Sequence, residues 1–236
     1  MQELLIYQAD GLTMHGQLFF ERGVKRAGVL VFPDAFGLNA HAVERARRLA
    51  AEGYVALACD LHGEGKIIPD IQQMMATLAP LMGSPERIRD RAGSALAALS
   101  ARDEVDTTRL AAIGFCLGGT MAFELARTGA DIRAAVGFHA GLETKVPAAL
   151  GGIKASILAC IGADDPMVAP DQRAGFEAEM RIAKADWQLH LYGGVVHSFT
   201  DPDAGLRNMP EMARYDETAD TRSWAAMHGL FAQKLG

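Results

Sequence analysis

Two hydrophobic rhythms alternate along this chain. Ala27 to Pro33 (AGVLVFP), Tyr54 to Cys59, Leu110 to Phe115, Arg133 to His139 and Ile157 to Ile161 are short, nearly continuous apolar runs, the mark of strands covered on both faces. Between them apolar residues recur every three or four positions, as on one face of a helix. Asn39 is a natural cap for a helix to about Ala51, with Val43, Ala46, Leu49 and Ala50 on one face. Ser84-Pro85 opens another, carrying Ile88, Ala92, Ala95, Leu96 and Leu99. Pro170 to Ala183 and Thr221 to Leu235 are helical too, the latter with Trp224, Met227 and Phe231 inward. Leu4 to Ala9 and Gly16 to Glu21 form an antiparallel pair around an Asp10-Gly11 turn, and Trp187 to Tyr192 alternates as a late strand. Asp60 to Gly83, with Pro69 and Pro80 among its methionines, predicts a broken helix crossing near a functional site. Strands alternating with helices from Ala27 onward predict an α/β fold: a parallel sheet with helices on both faces. No repeat, low-complexity tract or linker divides residues 1–236, so one domain is expected.

The chain has 236 residues, 50% of them hydrophobic and 22% charged, enough apolar surface for a sizeable core and too little charge for disorder. A net charge of −6 argues against a nucleic-acid surface. No apolar stretch reaches the length of a membrane span, and Met1-Gln2-Glu3 does not begin like a signal peptide. Three unpaired cysteines, Cys59, Cys116 and Cys160, predict free thiols in a reducing cytoplasm. The pattern carries no signal for an oligomeric state.

The chemistry concentrates at Gly114-Phe115-Cys116-Leu117-Gly118-Gly119, where an apolar strand turns into a helix to about Arg127. Glycines two positions either side of Cys116 give the spacing of a nucleophile elbow. There the nucleophile takes a strained backbone, and side chains at the flanking positions would collide with a neighbouring strand or helix. Thr120 stands where a phosphate-binding loop needs Lys, and the next strand ends in Phe138-His139 rather than in a ribose-binding acid. A thiol nucleophile needs a base, and the base a carboxylate. Asp164-Asp165 follow one strand end and His197 the last one, giving the chain order nucleophile, acid, histidine of an α/β-hydrolase. Among seven histidines, His15, His41 and His228 are expected in solvent, and His190 within a strand. His62 and His139 follow strand ends and are candidates to line the site. No His or Cys pair has metal-ligand spacing, so neither a metal nor another cofactor is expected.

Asp34-Ala35-Phe36-Gly37-Leu38-Asn39, the Cys116 elbow, Gly162-x-x-Asp165 and His197-Ser198-Phe199 together resemble the dienelactone hydrolase family of α/β-hydrolases, over nearly the whole length. The resemblance implies a mostly parallel sheet in an α/β-hydrolase fold and a carboxylic ester hydrolase acting on a small-molecule ester or lactone. It implies a triad of Cys116, His197 and, rather than Asp164, Asp165, with an oxyanion hole from the amides of Ala35 and Leu117. The family pattern also has an acid, usually Glu, controlling the thiol; here Asp34 holds that place, one methylene shorter. Phe36 and Phe199 join His62 and His139 as candidate substrate contacts. Dienelactone-binding members hold the substrate carboxylate with arginines, one shortly after His-Ser-Phe. Here Thr200-Asp201-Pro202-Asp203 follows instead, which predicts neutral substrates, with Arg207 and Arg214 the only nearby replacements for the missing charge. Rival readings are an acyltransferase or thioesterase with the same triad, and a non-catalytic thiol sensor on the same scaffold.

Overall fold

The computed structural model describes residues 1–236. The strands are β1 (Gln2–Ala9), β2 (Leu12–Phe19), β3 (Arg26–Phe32), β4 (Val55–Ala58), β5 (Val105–Phe115), β6 (Ala134–Phe138), β7 (Ser156–Gly162) and β8 (Trp187–Tyr192). The helices are α1 (Ala40–Ala51), α2 (Ile71–Met82), α3 (Pro85–Ser100), α4 (Leu117–Arg127), α5 (Pro170–Ala183) and α6 (Glu217–Lys234). One eight-stranded sheet runs in the order β1-β2-β4-β3-β5-β6-β7-β8. β1 and β2 are antiparallel, β2 meets β4 antiparallel, and every pair from β4 to β8 is parallel. This is an α/β-hydrolase fold, a mostly parallel sheet between helices.

Alternation along the strands fills two cores. Val29 and Val31 of β3 and Ala111 and Ile113 of β5 face α1 and α6, while Leu30 and Phe32 of β3 and Leu110 and Ala112 of β5 face the layer of α2 to α5. Trp224, Met227, Leu230 and Phe231 bury the inner face of α6; Leu230 and Phe231 each contribute about 1.5–3 kcal/mol by leaving water. Asp216 caps this helix by accepting from the Ala219 amide, so it begins at Glu217 rather than Thr221.

Three expectations change. The opening hairpin pairs Ala9 directly with Leu12, so β2 begins at Leu12 and not Gly16. α2 is a single helix capped by Asp70, not a broken one. Pro80 lies in its last turn, where the ring removes one late hydrogen bond instead of breaking the middle. The buried face of α1 is Ala42, Arg45, Ala46 and Leu49, a rotation that takes Val43 and Ala50 off the centre and brings Arg45 inward.

The parallel strands present their carboxyl ends along one edge. β3 and β5 are neighbours although β4 intervenes in the chain, and the crevice at such a reversal is the natural ligand site of an open α/β sheet. The loops after β3, β5, β6, β7 and β8 carry Asp34, Cys116, His139, Asp165 and His197 respectively.

Candidate active site

Cys116 stands between β5 and α4 with φ 53° and ψ −119°, a backbone conformation that costs an ordinary residue about 1–3 kcal/mol. The flanking glycines make the bend sterically possible. A Cβ on Gly114 would lie 2.1 Å from the Gly118 carbonyl, and one on Gly118 would lie 2.3 Å from the Phe32 and Pro33 oxygens. Cys116 is half-buried and lines a cavity of about 990 Å³ together with Asp34, Ala35, Phe36, Leu117 and His197. Leu117 is the first residue of α4, where backbone N–H groups have no acceptor inside the helix and the helix dipole is positive.

His197 is buried, and its Nδ1 lies 2.7 Å from Asp165 Oδ2. The other Asp165 oxygen accepts from the Met167 amide at 2.8 Å, which fixes the carboxylate plane. Asp164 is exposed. On the far side of the ring, His197 Nε2 is buried without a hydrogen-bond partner in the protein; Cys116 is the neighbour that acts on the ring most strongly to raise it. Burial on its own pushes this imidazole down, but the neighbouring Cys116 and the hydrogen bond and charge of Asp165 outweigh it and hold His197 at about 10. Burial pushes the other two thiols up, Cys160 to about 12.

Asp34 is enclosed by donors: Phe36 N–H at 2.9 Å and Asn39 Nδ2 at 3.1 Å to both oxygens, with Arg207 at 3.6 Å. The Cys116 thiol is not among these partners. Burial raises its carboxyl above the ordinary aspartate value, partly offset by the Phe36 amide and Arg207. The loop itself is tied down by His62, whose Nε2 lies 3.0 Å from the Ala35 carbonyl oxygen.

Of the four candidate substrate contacts, only Phe36 lines the cavity. His62 sits behind the Ala35 loop. Phe199 is fully buried, packed against Tyr192 and the His139 ring. His139 lies behind the elbow, its Nδ1 accepting from the Cys116 amide at 3.2 Å. His41 is not in solvent: it packs edge-on against Phe115 at 4.4 Å, and burial followed by the charge of Arg45 lowers it to about 3.

Sequence reasoning raised Arg207 without placing it. It lines the cavity and crosses the Phe36 ring at 4.8 Å. It donates to Asp201 at 2.6 Å and to Ser198 Oγ at 3.1 Å. Arg214 instead bonds the Pro210 and Gly194 carbonyls at the surface. The apolar wall comes from α2 (Ile71, Met74, Met75, Leu78) and from Met209 and Met212. The only signal for this wall in the chain was the density of methionine around Pro80.

Comparison with known proteins adds an independent line. The model of the dienelactone hydrolase family matches residues 14–235. A probable 2-oxo-3-(5-oxofuran-2-ylidene)propanoate lactonase of a Bradyrhizobium species is 31% identical over 185 residues, 72% of each chain. The crystal structure of a dienelactone hydrolase-like promiscuous phosphotriesterase from metagenomic libraries superposes with a TM-score of 0.95 at 44% identity, covering 100% of this chain and 99% of that one. A putative dienelactone hydrolase of Klebsiella pneumoniae shares the fold, with a TM-score of 0.82 at 22% identity over 99% of this chain and 98% of that one.

Proposed function

The chain belongs to the dienelactone hydrolase family of carboxylic ester and lactone hydrolases, and from that premise we propose a cysteine esterase that prefers neutral, largely apolar esters or lactones. The observation that carries the mechanism is the buried His197–Asp165 pair at 2.7 Å beside the strained Cys116 elbow, with Cys116 and Asp165 raising the imidazole against its burial to about 10. Cys116 thiolate attacks the carbonyl carbon, and the carbonyl electrons move to oxygen. The Leu117 and Ala35 amides receive that oxyanion. The tetrahedral intermediate then collapses, the alkoxide takes the proton from His197, and a thioester remains on Cys116.

The second half follows from what held the imidazole's proton. The sulfur charge is the largest influence raising His197, and acylation removes it. The neutral imidazole, oriented by Asp165, then takes a proton from water as the water attacks the thioester. Acid is released and the thiolate–imidazolium pair re-forms. One residue thus serves as acid and base because its partner changes charge between the two steps.

The cavity supports the substrate class. About 990 Å³ exceeds what a small lactone fills, and its lining is mainly apolar. Of its charged lining groups, Glu124 and Glu179 are paired with Arg89 and Arg127 and Arg207 with Asp201, which leaves Lys145 against Glu143 and Asp171. A substrate carboxylate would therefore meet little free positive charge. The test is kcat/KM for a lactone carboxylate against its methyl ester, with the ester expected to be at least tenfold better, about 1.4 kcal/mol in transition-state binding. A tenfold preference for the free acid would overturn the substrate reading and direct attention to Arg207.

The metagenomic relative and the apolar lining favour a second reading, attack of the same thiolate on the phosphorus of a neutral phosphotriester. Release of nitrophenol from an aryl diethyl phosphate, lost in Cys116→Ala, is the corresponding assay.

A further inference from the structure

Behind the elbow, on the side away from the cavity, lies a buried polar chain for which ester hydrolysis as described has no use. The Cys116 N–H is shared by two acceptors, the Phe138 carbonyl at 3.0 Å and His139 Nδ1 at 3.2 Å. His139 Nε2 lies 2.8 Å from Thr200 Oγ1, and Thr200 Oγ1 lies 3.4 Å from His41 Nε2. His41 Nε2 also takes the Arg45 Nε–H at 3.3 Å. Arg45 is itself anchored by the Thr200 carbonyl at 2.7 Å and the Asp220 carboxylate at 2.8 and 2.9 Å.

Both ends of this chain can only donate, because one is a backbone amide and the other a guanidinium. The roles between them are therefore fixed. Arg45 makes His41 Nε2 an acceptor, so the Thr200 hydroxyl points its hydrogen at His41. Its lone pair is left for His139, whose Nε2 must then carry the proton. His139 Nδ1 is consequently bare and accepts from Cys116. A single pattern of protons satisfies every member, and it ends at the nucleophile's own amide.

We propose that His139 is a positioning residue: a neutral imidazole, proton on Nε2, that holds the Cys116 backbone in its strained conformation and braces the His197 ring. The proposal rests on the reading of Cys116 as nucleophile. The brace is direct, since the two rings meet edge to face with centroids 5.0 Å apart. Strained nucleophile backbones persist only where the surroundings over-determine them, and two acceptors on one N–H do that here. The groups facing His139 agree: burial first, then the neighbouring His197, Arg207 and Arg45, keep its proton count low, with His41 beside them.

His139 has φ 41°, which suits Asn better than Leu, so the cleanest perturbation lies one bond away. Thr200→Val keeps shape and removes the acceptor for His139 Nε2–H; Thr200→Ser restores it. The expected result is a kcat loss of about tenfold in Thr200→Val with KM nearly unchanged, and recovery in Thr200→Ser. In a His139→Asn background, whose Oδ1 still accepts from Cys116, Thr200→Val should cost nothing further. Imidazole ¹⁵N shifts of the free protein supply a readout independent of activity, with the His139 signals identified by their loss in His139→Asn. They should show the Nε2–H form without titration from about pH 5.5 to 9. An Nδ1–H form, titration near the ordinary histidine value, or an undiminished Thr200→Val effect in His139→Asn would overturn the proposal. Failure of the nucleophile reading would show separately, as turnover by Cys116→Ala with the His139 shifts unchanged.

Discussion

His197 and His139 lie with ring centroids 5.0 Å apart at the carboxyl ends of β8 and β6, both almost wholly buried. Burial presses both toward the neutral form, yet His197 is held at about 10 and His139 falls well below the ordinary histidine value. The difference lies in what each ring faces. On the cavity side stand a carboxylate and the Cys116 side chain; behind the elbow stand an amide and a hydroxyl, with His41 and Arg45 beyond them. Depth in the protein does not assign protonation here. The neighbours do, and two touching imidazoles are held in opposite protonation states by what lies on their far sides.

The comparison breaks most sharply if the cavity side is disarmed. Cys116→Ala and His197→Ala should each lower ester turnover by about 10⁴-fold or more, as when the working members of a triad are removed. Asp165→Asn should cost somewhat less, about 10³–10⁴-fold, and the exposed Asp164→Asn less than about twofold. Steady-state kinetics on one aryl ester reads all four. If Asp164→Asn proved the costlier of the two acids, the assignment of the acid would be reversed.

A milder break uses pH. The folded-state value of His197 is raised above the ordinary 6.5 to about 10, so its stabilising contribution is complete below about pH 6.5 and is lost as pH rises toward 10. Urea midpoints of the wild type should therefore fall across that interval relative to His197→Gln, while His139, neutral throughout, adds no slope there. Equal slopes in wild type and His197→Gln would contradict the charged His197.

The smallest effect concerns Asp34, the one carboxylate at the cavity raised by burial. A raised aspartate favours the folded state while protonated, and that advantage is lost as pH rises through its raised folded value. Asp34→Asn should flatten the stability profile in this acidic window and leave it unchanged near neutrality, as read by urea melts. Were Asp34 to govern the thiol, Asp34→Asn would also move the pH at which iodoacetamide alkylates Cys116, since a neighbouring charge opposes a second one.

The sheet and the cavity side of the elbow were legible in the chain because both rest on local rules. Continuous apolar runs named the buried strands, and two glycines around Cys116 named the elbow. His197 and the Asp164-Asp165 pair followed from strand order, and the family resemblance chose Asp165 of the two. The side behind the elbow was not legible. His41 was assigned to solvent as an early helix position, and the α1 face was placed on Val43 and Ala50 as well as Ala46 and Leu49; contact with Phe115, Thr200 and α6 turns the helix so that Arg45 points inward. Arg207 lies ten residues beyond His197 in a loop with a short 3-10 turn, Ala204–Arg207, and only the folded loop returns it to Asp201 and Phe36. The break assigned to Pro80 was a propensity argument that the end of a helix tolerates.

The most direct test of the account is a rapid acid quench during turnover of an aryl ester, whose good leaving group makes deacylation the slow step, followed by intact-mass and peptide mapping. The account predicts one acyl group per chain, carried as a thioester on Cys116 and absent from Cys116→Ala. Undiminished turnover in Cys116→Ala, or an acyl group on any other residue, would contradict it.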